Sequence, residues 1–370
     1  MTPIRLIFGA VIAVSFLVQA RAQDVVEQPL RIPMREAGKD GLEAVMVRPN
    51  DSAPHPLALL NHGSPRDAGQ RPGMTAWGMA PQAREFARRG WTTVMVLRRG
   101  YGTSGGGYEE DARPCSSHPD YYGSGLESAK DLRAAISYLS TLPEVDASRI
   151  ISVGVSAGGF ATVALAADPP PGLVAAISFA GGRGSRRPDE VCNSGDLVRA
   201  FADFGRKSRI PMLWVYAQND HFFGPQLAAE FYRAFAKAGG MASFIRADPF
   251  RADGHGLFSL SGIPLWTPLV DDFLAAQNLK LRNSLLPLPV APNIAVPEEL
   301  SENGRLEFRA LLTLPAYKAF AVGPGGHYGY AFGRRTEKEA RKAAEDHCNE
   351  ADPRGRHCTV VLSDKSKPAS

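Results

Sequence analysis

Gly154-Val155-Ser156-Ala157-Gly158 decides how this chain is read, because Ile150-Ile151-Ser152-Val153 leads straight into it. The apolar run has the composition of a short buried strand, and residues 159–167 that of the helix that follows. A Gly-x-Ser-x-Gly at a sharp strand-to-helix turn holds its serine in strained backbone, with the hydroxyl exposed. The N–H groups that open the helix then face the space in front of that oxygen. Ser156 is therefore the candidate nucleophile. The alternative reading is a tight structural turn that packs helix on sheet.

Strand and helix signals alternate on both sides of this turn, from about residue 28 to 280. Residues 42–47, 57–60, 92–97, 174–179, 212–216 and 242–245 read as strands; 76–89, 126–139, 226–238 and 266–279 read as helices. Near-continuous apolar strands alternating with helices predict an α/β domain over residues 23–280, with a mostly parallel sheet covered on both faces. Residues 281–310 read as a proline-rich linker and a helix. Pro287, Pro289, Pro292 and Pro297 keep the chain extended. Pro297-Glu298-Glu299 reads as the helix start. Residues 311–370 form a small α+β module with strands at 317–322, 327–332 and 358–362 and a helix at 337–349.

The chain has 370 residues, 44% hydrophobic and 22% charged, ordinary for a globular protein with a buried core. Residues 1–22 stand apart as a signal peptide. Arg5 is the positive n-region, 6–18 is apolar, and Ala20-Arg21-Ala22 fits a small-x-small cleavage site. The apolar stretch is short for a span, so the expectation is a periplasmic or secreted protein cleaved near Ala22, without stable membrane insertion. An uncleaved anchor is the alternative. Formal charge is +4, and losing Arg5 and Arg21 leaves 40 basic against 38 acidic residues, which gives no case for a nucleic-acid partner.

Export makes the four cysteines legible. Cys348 and Cys358 lie close together in the small tail and are paired, which leaves Cys115 with Cys192. A Cys115–Cys192 bridge would tie the 105–123 and 181–208 loops together. The sequence has no Cys-x-x-Cys and no histidine pair at zinc spacing near a cysteine, so neither metal nor organic cofactor is expected.

An activated serine needs a base in reach and a third group to orient that base. In a parallel sheet such groups come from the C-terminal strand ends. The strand at 212–216 ends in Ala217-Gln218-Asn219-Asp220, and the next leads to Asp253-Gly254-His255-Gly256. Asp220 is the expected acid and His255 the expected base, with Asp253 the weaker alternative for the acid. Of the two oxyanion donors, one is the backbone N–H of Ala157 and the other comes from Gly63 or Ser64 in Asn61-His62-Gly63-Ser64-Pro65. His62 reads as a packing residue that shapes this turn.

These pieces, with Arg99-Gly100-Tyr101-Gly102-Thr103-Ser104-Gly105, resemble α/β-hydrolases of the dienelactone-hydrolase and prolyl-oligopeptidase kind over residues 28–280. The resemblance implies a serine hydrolase. Dienelactone hydrolases proper use a cysteine where this chain has Ser156, so their substrate is not implied. Tyr317-Lys318-Ala319-Phe320-Ala321-Val322 and Gly329-Tyr330-Ala331 resemble small uncharacterised modules of exported bacterial proteins, which implies no activity.

Only 181–208 is available as a cap, with Arg183, Arg186 and Arg187 beside Asp189 and Glu190, and no long amphipathic lid is present. The reading favoured is hydrolysis of small soluble carboxylic esters. A serine peptidase of prolyl-oligopeptidase type, or a non-catalytic protein held to the envelope through the C-terminal module, are the alternatives.

Overall fold

The computed structural model describes residues 24–112, 115, 118–315, 317–352 and 357–364; the signal-peptide reading of residues 1–22 lies outside them. Strands β1 (Val25–Ile32), β2 (Leu42–Pro49) and β3 (His55–Asn61) precede helix α1 (Ala80–Arg88) and strand β4 (Thr92–Val96). Helix α2 (Tyr121–Leu139), strand β5 (Val145–Val155), helix α3 (Ala157–Ala166) and strand β6 (Leu173–Phe179) follow. A short hairpin, β7 (Ser185–Arg187) with β8 (Glu190–Val191), leads to α4 (Ser194–Lys207), β9 (Met212–Ala217), α5 (Pro225–Lys237), β10 (Ala242–Ala247) and α6 (Ile263–Ala276). The tail comprises α7 (Glu302–Leu312), β11 (Ala319–Val322), β12 (Tyr328–Ala331), α8 (Glu337–Glu350) and β13 (Thr359–Ser363).

Eight strands form one sheet in the order β1-β2-β4-β3-β5-β6-β9-β10. The β1–β2 and β2–β4 pairs are antiparallel, and every pair from β4 to β10 is parallel. β4 and β9 are buried along their whole length and β3 along all but its first residue, as strands covered on both faces must be. Helix α3 is buried at every position, which its run of Ala, Val, Phe and Gly permits. The antiparallel edge strand β1 gives no clear strand signal because Val25-Val26-Glu27-Gln28-Pro29-Leu30 mixes polar and apolar residues.

Two elements differ from the sequence reading. Most of the expected cap is helix α4, whose Leu197, Ala200, Phe201 and Phe204 recur at helical spacing and pack into the core beside the sheet. Only the short β7–β8 hairpin remains at the rim. The helix expected at Pro297 starts at Glu302, where the Ser301 side chain accepts the Gly304 N–H at 3.2 Å. Its Phe308, Leu311 and Leu312 share a cluster with Phe320 of β11.

The three-stranded antiparallel tail sheet, ordered β12-β11-β13, packs against α8. The tail meets the large sheet through Arg335, whose guanidinium binds Glu43 at 2.8 Å. Both expected disulfides are present, Cys115–Cys192 and Cys348–Cys358.

Candidate active site

Parallel pairing brings the ends of β3, β5, β6, β9 and β10 to one rim, and the sequence candidates sit there. Ser156 follows β5 with φ 56° and ψ −124° and caps α3. That left-handed backbone is costly for a residue with a side chain and persists where its surroundings enforce it. Here the Ser156 N–H donates to the Phe179 carbonyl at 2.9 Å, and its carbonyl accepts from Phe160 at 3.0 Å and Gly182 at 3.1 Å. The flanking glycines are required by close approach: a Cβ at Gly154 would overlap the Gly158 carbonyl oxygen, and one at Gly158 would overlap that of Asn61. Beneath the turn, Asn61 Nδ2 donates to Ser152 at 2.9 Å and to Thr162 at 2.8 Å, joining β3, β5 and α3.

The loop after β3 lies directly against the serine. A Cβ at Gly63 would sit 3.0 Å from Ser156 Cβ and 3.5 Å from its Oγ. His62 shapes this turn. Its Nδ1 meets the Gly63 carbonyl at 2.7 Å and its Nε2 accepts the Arg98 backbone N–H at 3.1 Å. With Nε2 accepting, the proton resides on Nδ1. Burial, reinforced by Arg98, pulls its pKa down to about 3, so the ring is neutral.

Asp220 is buried at the end of β9, and its Oδ1 accepts the N–H groups of Phe222 at 2.7 Å and Phe223 at 2.9 Å. Both its oxygens face His255 Nδ1, at 3.2 and 3.1 Å. The alternative acid is otherwise engaged: Asp253 Oδ1 accepts the backbone N–H of His255 at 2.9 Å and of His221 at 3.1 Å. The His221 ring pairs with Asp189 at 3.0 Å, which raises its pKa.

His255 Nε2 carries no hydrogen bond among the described residues, to Ser156 Oγ included. Catalytic hydrogen bonds are often long or misaligned in ligand-free enzymes and tighten with substrate. Phe223 stands between the imidazole and the Ser156 backbone. Its ring lies 5.8 Å from the imidazole and touches Gly182, which binds the Ser156 carbonyl.

Sequence reasoning missed two features. Phe222 stacks on His255 with centroids 3.8 Å apart and planes at 11°, and the Arg66 guanidinium lies 3.4 Å from the Phe222 ring centre. Arg66 also binds Ser185 Oγ at 3.0 Å and the His221 carbonyl at 3.2 Å, so one side chain ties three rim segments. The second is a buried ion cluster. Arg183, read as part of a cap, is 7% exposed and binds Glu110 at 2.6 Å; Arg98, also buried, holds the same carboxylate. Burial alone would raise the Glu110 pKa, but the two guanidinium groups outweigh it and hold the carboxyl well below its usual range. Neither feature has a sequence signal, since each depends on residues far apart in the chain.

Among the described residues the one cluster of metal-ligating side chains is His327 with Cys348 and Cys358, and both sulfurs are in the disulfide. No helix among them is long and apolar enough to cross a membrane.

A profile of the X-Pro dipeptidyl-peptidase (S15) family matches residues 38–201. Among solved structures, the acylaminoacyl peptidase of Pyrococcus horikoshii superposes with a TM-score of 0.51 at 16% identity, covering 71% of this chain and 43% of its own. A thermophilic esterase from Thermogutta terrifontis gives 0.50 at 16% identity, covering 70% of this chain and 96% of its own. Among curated proteins, none matches. Sheet order and these superpositions define the α/β-hydrolase fold, and residues 38–201 are similar to the X-Pro dipeptidyl-peptidase (S15) family. The match to the S15 profile stops at residue 201, before Asp220 and His255.

Proposed function

We propose that the protein is an exported esterase that cleaves small soluble carboxylic esters through Ser156, His255 and Asp220. The observation that carries this reading is the pairing of His255 Nδ1 with both oxygens of a buried Asp220, at the rim where Ser156 is held in strained backbone. With its proton on Nδ1, the imidazole offers the Nε2 lone pair to the serine hydroxyl. Ser156 Oγ attacks the ester carbonyl while Nε2 takes its proton. The proton passes to the departing alkoxide, and an acyl-enzyme forms. Water, deprotonated by the same nitrogen, then releases the acid and restores the serine. The Ala157 N–H and that of Gly63 or Ser64 receive the oxyanion, a role supported by the contact of Gly63 with Ser156.

The likeness to an esterase of the same fold supports the ester reading. The S15 profile favours the second reading, a peptidase acting on X-Pro peptides. The two separate on kcat/KM for nitrophenyl acetate and butyrate against Xaa-Pro anilides. Comparable values for the anilides would replace the ester reading. A fluorophosphonate probe is expected to label the wild type on Ser156 and leave Ser156→Ala unlabelled; labelling elsewhere would overturn the assignment. Export rests on residues 1–22 and on two disulfides suited to an oxidising compartment. N-terminal sequencing of protein recovered outside the cytoplasm is expected to start near Gln23.

A further inference from the structure

A second cleft, of about 500 Å³, lies between strand β12 and the segment 73–78; Ser156, Asp220 and His255 do not line it. The volume is within the range of small-molecule sites. One wall is aromatic. Tyr328 and Tyr330 of β12 and Phe332 just beyond its end fall at alternate positions, and the rings of Tyr330 and Phe332 are within 17° of parallel. Ser261 anchors this wall by meeting the Tyr330 hydroxyl at 3.3 Å.

The charge in the cleft has one sign. Arg251 and Arg334 line it, and no carboxylate is among the lining residues. Arg251 has Glu307 as its ion-pair partner. Arg334 has no carboxylate within ion-pair distance among the described residues, Glu339 acting on it only from farther away. Arg334 therefore brings to the cleft a guanidinium that no carboxylate neutralises at contact distance among the described residues. Gly78 supplies an independent observation. It lines the cleft, its φ is not left-handed, and a Cβ there would meet nothing within 4 Å. Neither backbone strain nor packing asks for glycine at this position, and the room it leaves is the cleft itself.

We propose that this cleft binds a carboxylate carried on a six-membered ring, with the ring against the Tyr328–Phe332 wall and the carboxylate on Arg334. A planar carboxylate suits the paired donors of a guanidinium, and a flat ring face suits aromatic side chains. Uronic acids and aromatic acids both carry this chemistry, and the test separates them.

Full-length protein is titrated by calorimetry with digalacturonate and with 4-hydroxybenzoate, each beside its uncharged counterpart, cellobiose or 4-hydroxybenzamide. Saturable binding of at least one acid, but of neither neutral compound, is expected; which acid binds names the source. Arg334→Gln is expected to weaken it about 10- to 100-fold, and Gly78→Trp to abolish it. Ester hydrolysis by both variants reports that the fold is intact, and Arg334→Gln decides the matter if the bulkier change disturbs it. Ser156→Ala is expected to bind as the wild type does, which keeps this site independent of the catalytic reading. Neither acid binding at about 10 mM, equal binding of the neutral compounds, or unchanged binding in Arg334→Gln would each overturn the proposal.

Discussion

Two loops at the same rim each present a histidine, and they use it in opposite ways. After β3, His62 is buried with both ring nitrogens hydrogen-bonded, one to the Gly63 carbonyl and one to the Arg98 N–H. After β10, His255 spends one nitrogen on Asp220 and leaves the other without a partner among the described residues. A saturated ring can only hold a shape. A ring with one nitrogen open can take a proton. The two aspartates at the second loop divide similarly, Asp253 serving backbone N–H groups while Asp220 adds the imidazole to its backbone bonds.

The contrast is tested most severely at the serine. Ser156→Ala is expected to lower kcat by about 10⁶-fold with the circular dichroism spectrum unchanged; retention of even a hundredth of the activity would mean that another group is the nucleophile. The aspartates come next. Asp220→Asn is expected to cost about 10⁴-fold, because the amide no longer holds the proton on Nδ1. Asp253→Asn should cost far less, since an amide oxygen still accepts backbone N–H bonds. Equal losses would mean that Asp220 is not the acid that sets the imidazole apart. Phe222→Ala removes the ring against which His255 rests, and about a 10-fold fall in kcat/KM is expected, because small misplacements of a base are expensive. An unchanged value would make the stack incidental to turnover.

What the sequence made legible follows from range. The Gly-x-Ser-x-Gly turn and its flanking strand and helix are local, so Ser156 stands out from its immediate neighbours alone. Asp220 and His255 need one further step, that parallel strands deliver their C-terminal ends to a common rim, and the β5-β6-β9-β10 order supplies it. The Arg66–Phe222 stack and the Arg98–Glu110–Arg183 cluster stay hidden because nothing local distinguishes a buried arginine from a solvated one. Arg183 sits close to Arg186 and Arg187, yet it alone of the three is buried. The start of α7 differs from its expected place because Pro297 and Ser301 both offer start signals, and the serine cap wins.

Stability, which involves no turnover, sharpens the contrast between the histidines most, because it follows a proton. Burial and Arg98 hold His62 at about 3, whereas the unfolded chain protonates it near 6.5. Between those values the unfolded state binds the extra proton, so this group's contribution to stability falls as pH falls through that window. The slope is about 1.4 kcal/mol per pH unit. Asp131 acts in the opposite sense. Burial outweighs its Arg99 partner and raises it to about 6, so below that pH the folded state takes up its proton first. A pH series on the wild type alone therefore mixes the two, and His62→Gln separates them. The amide side chain can still donate and accept but cannot titrate, so the variant is expected to be less stable than wild type at pH 7.5. The gap should close by roughly 2 kcal/mol at pH 5, read from urea midpoints at the two values. A gap that stays constant would mean that residue 62 keeps the same protonation folded and unfolded, and the distinction between a saturated and an open imidazole would lose its physical basis.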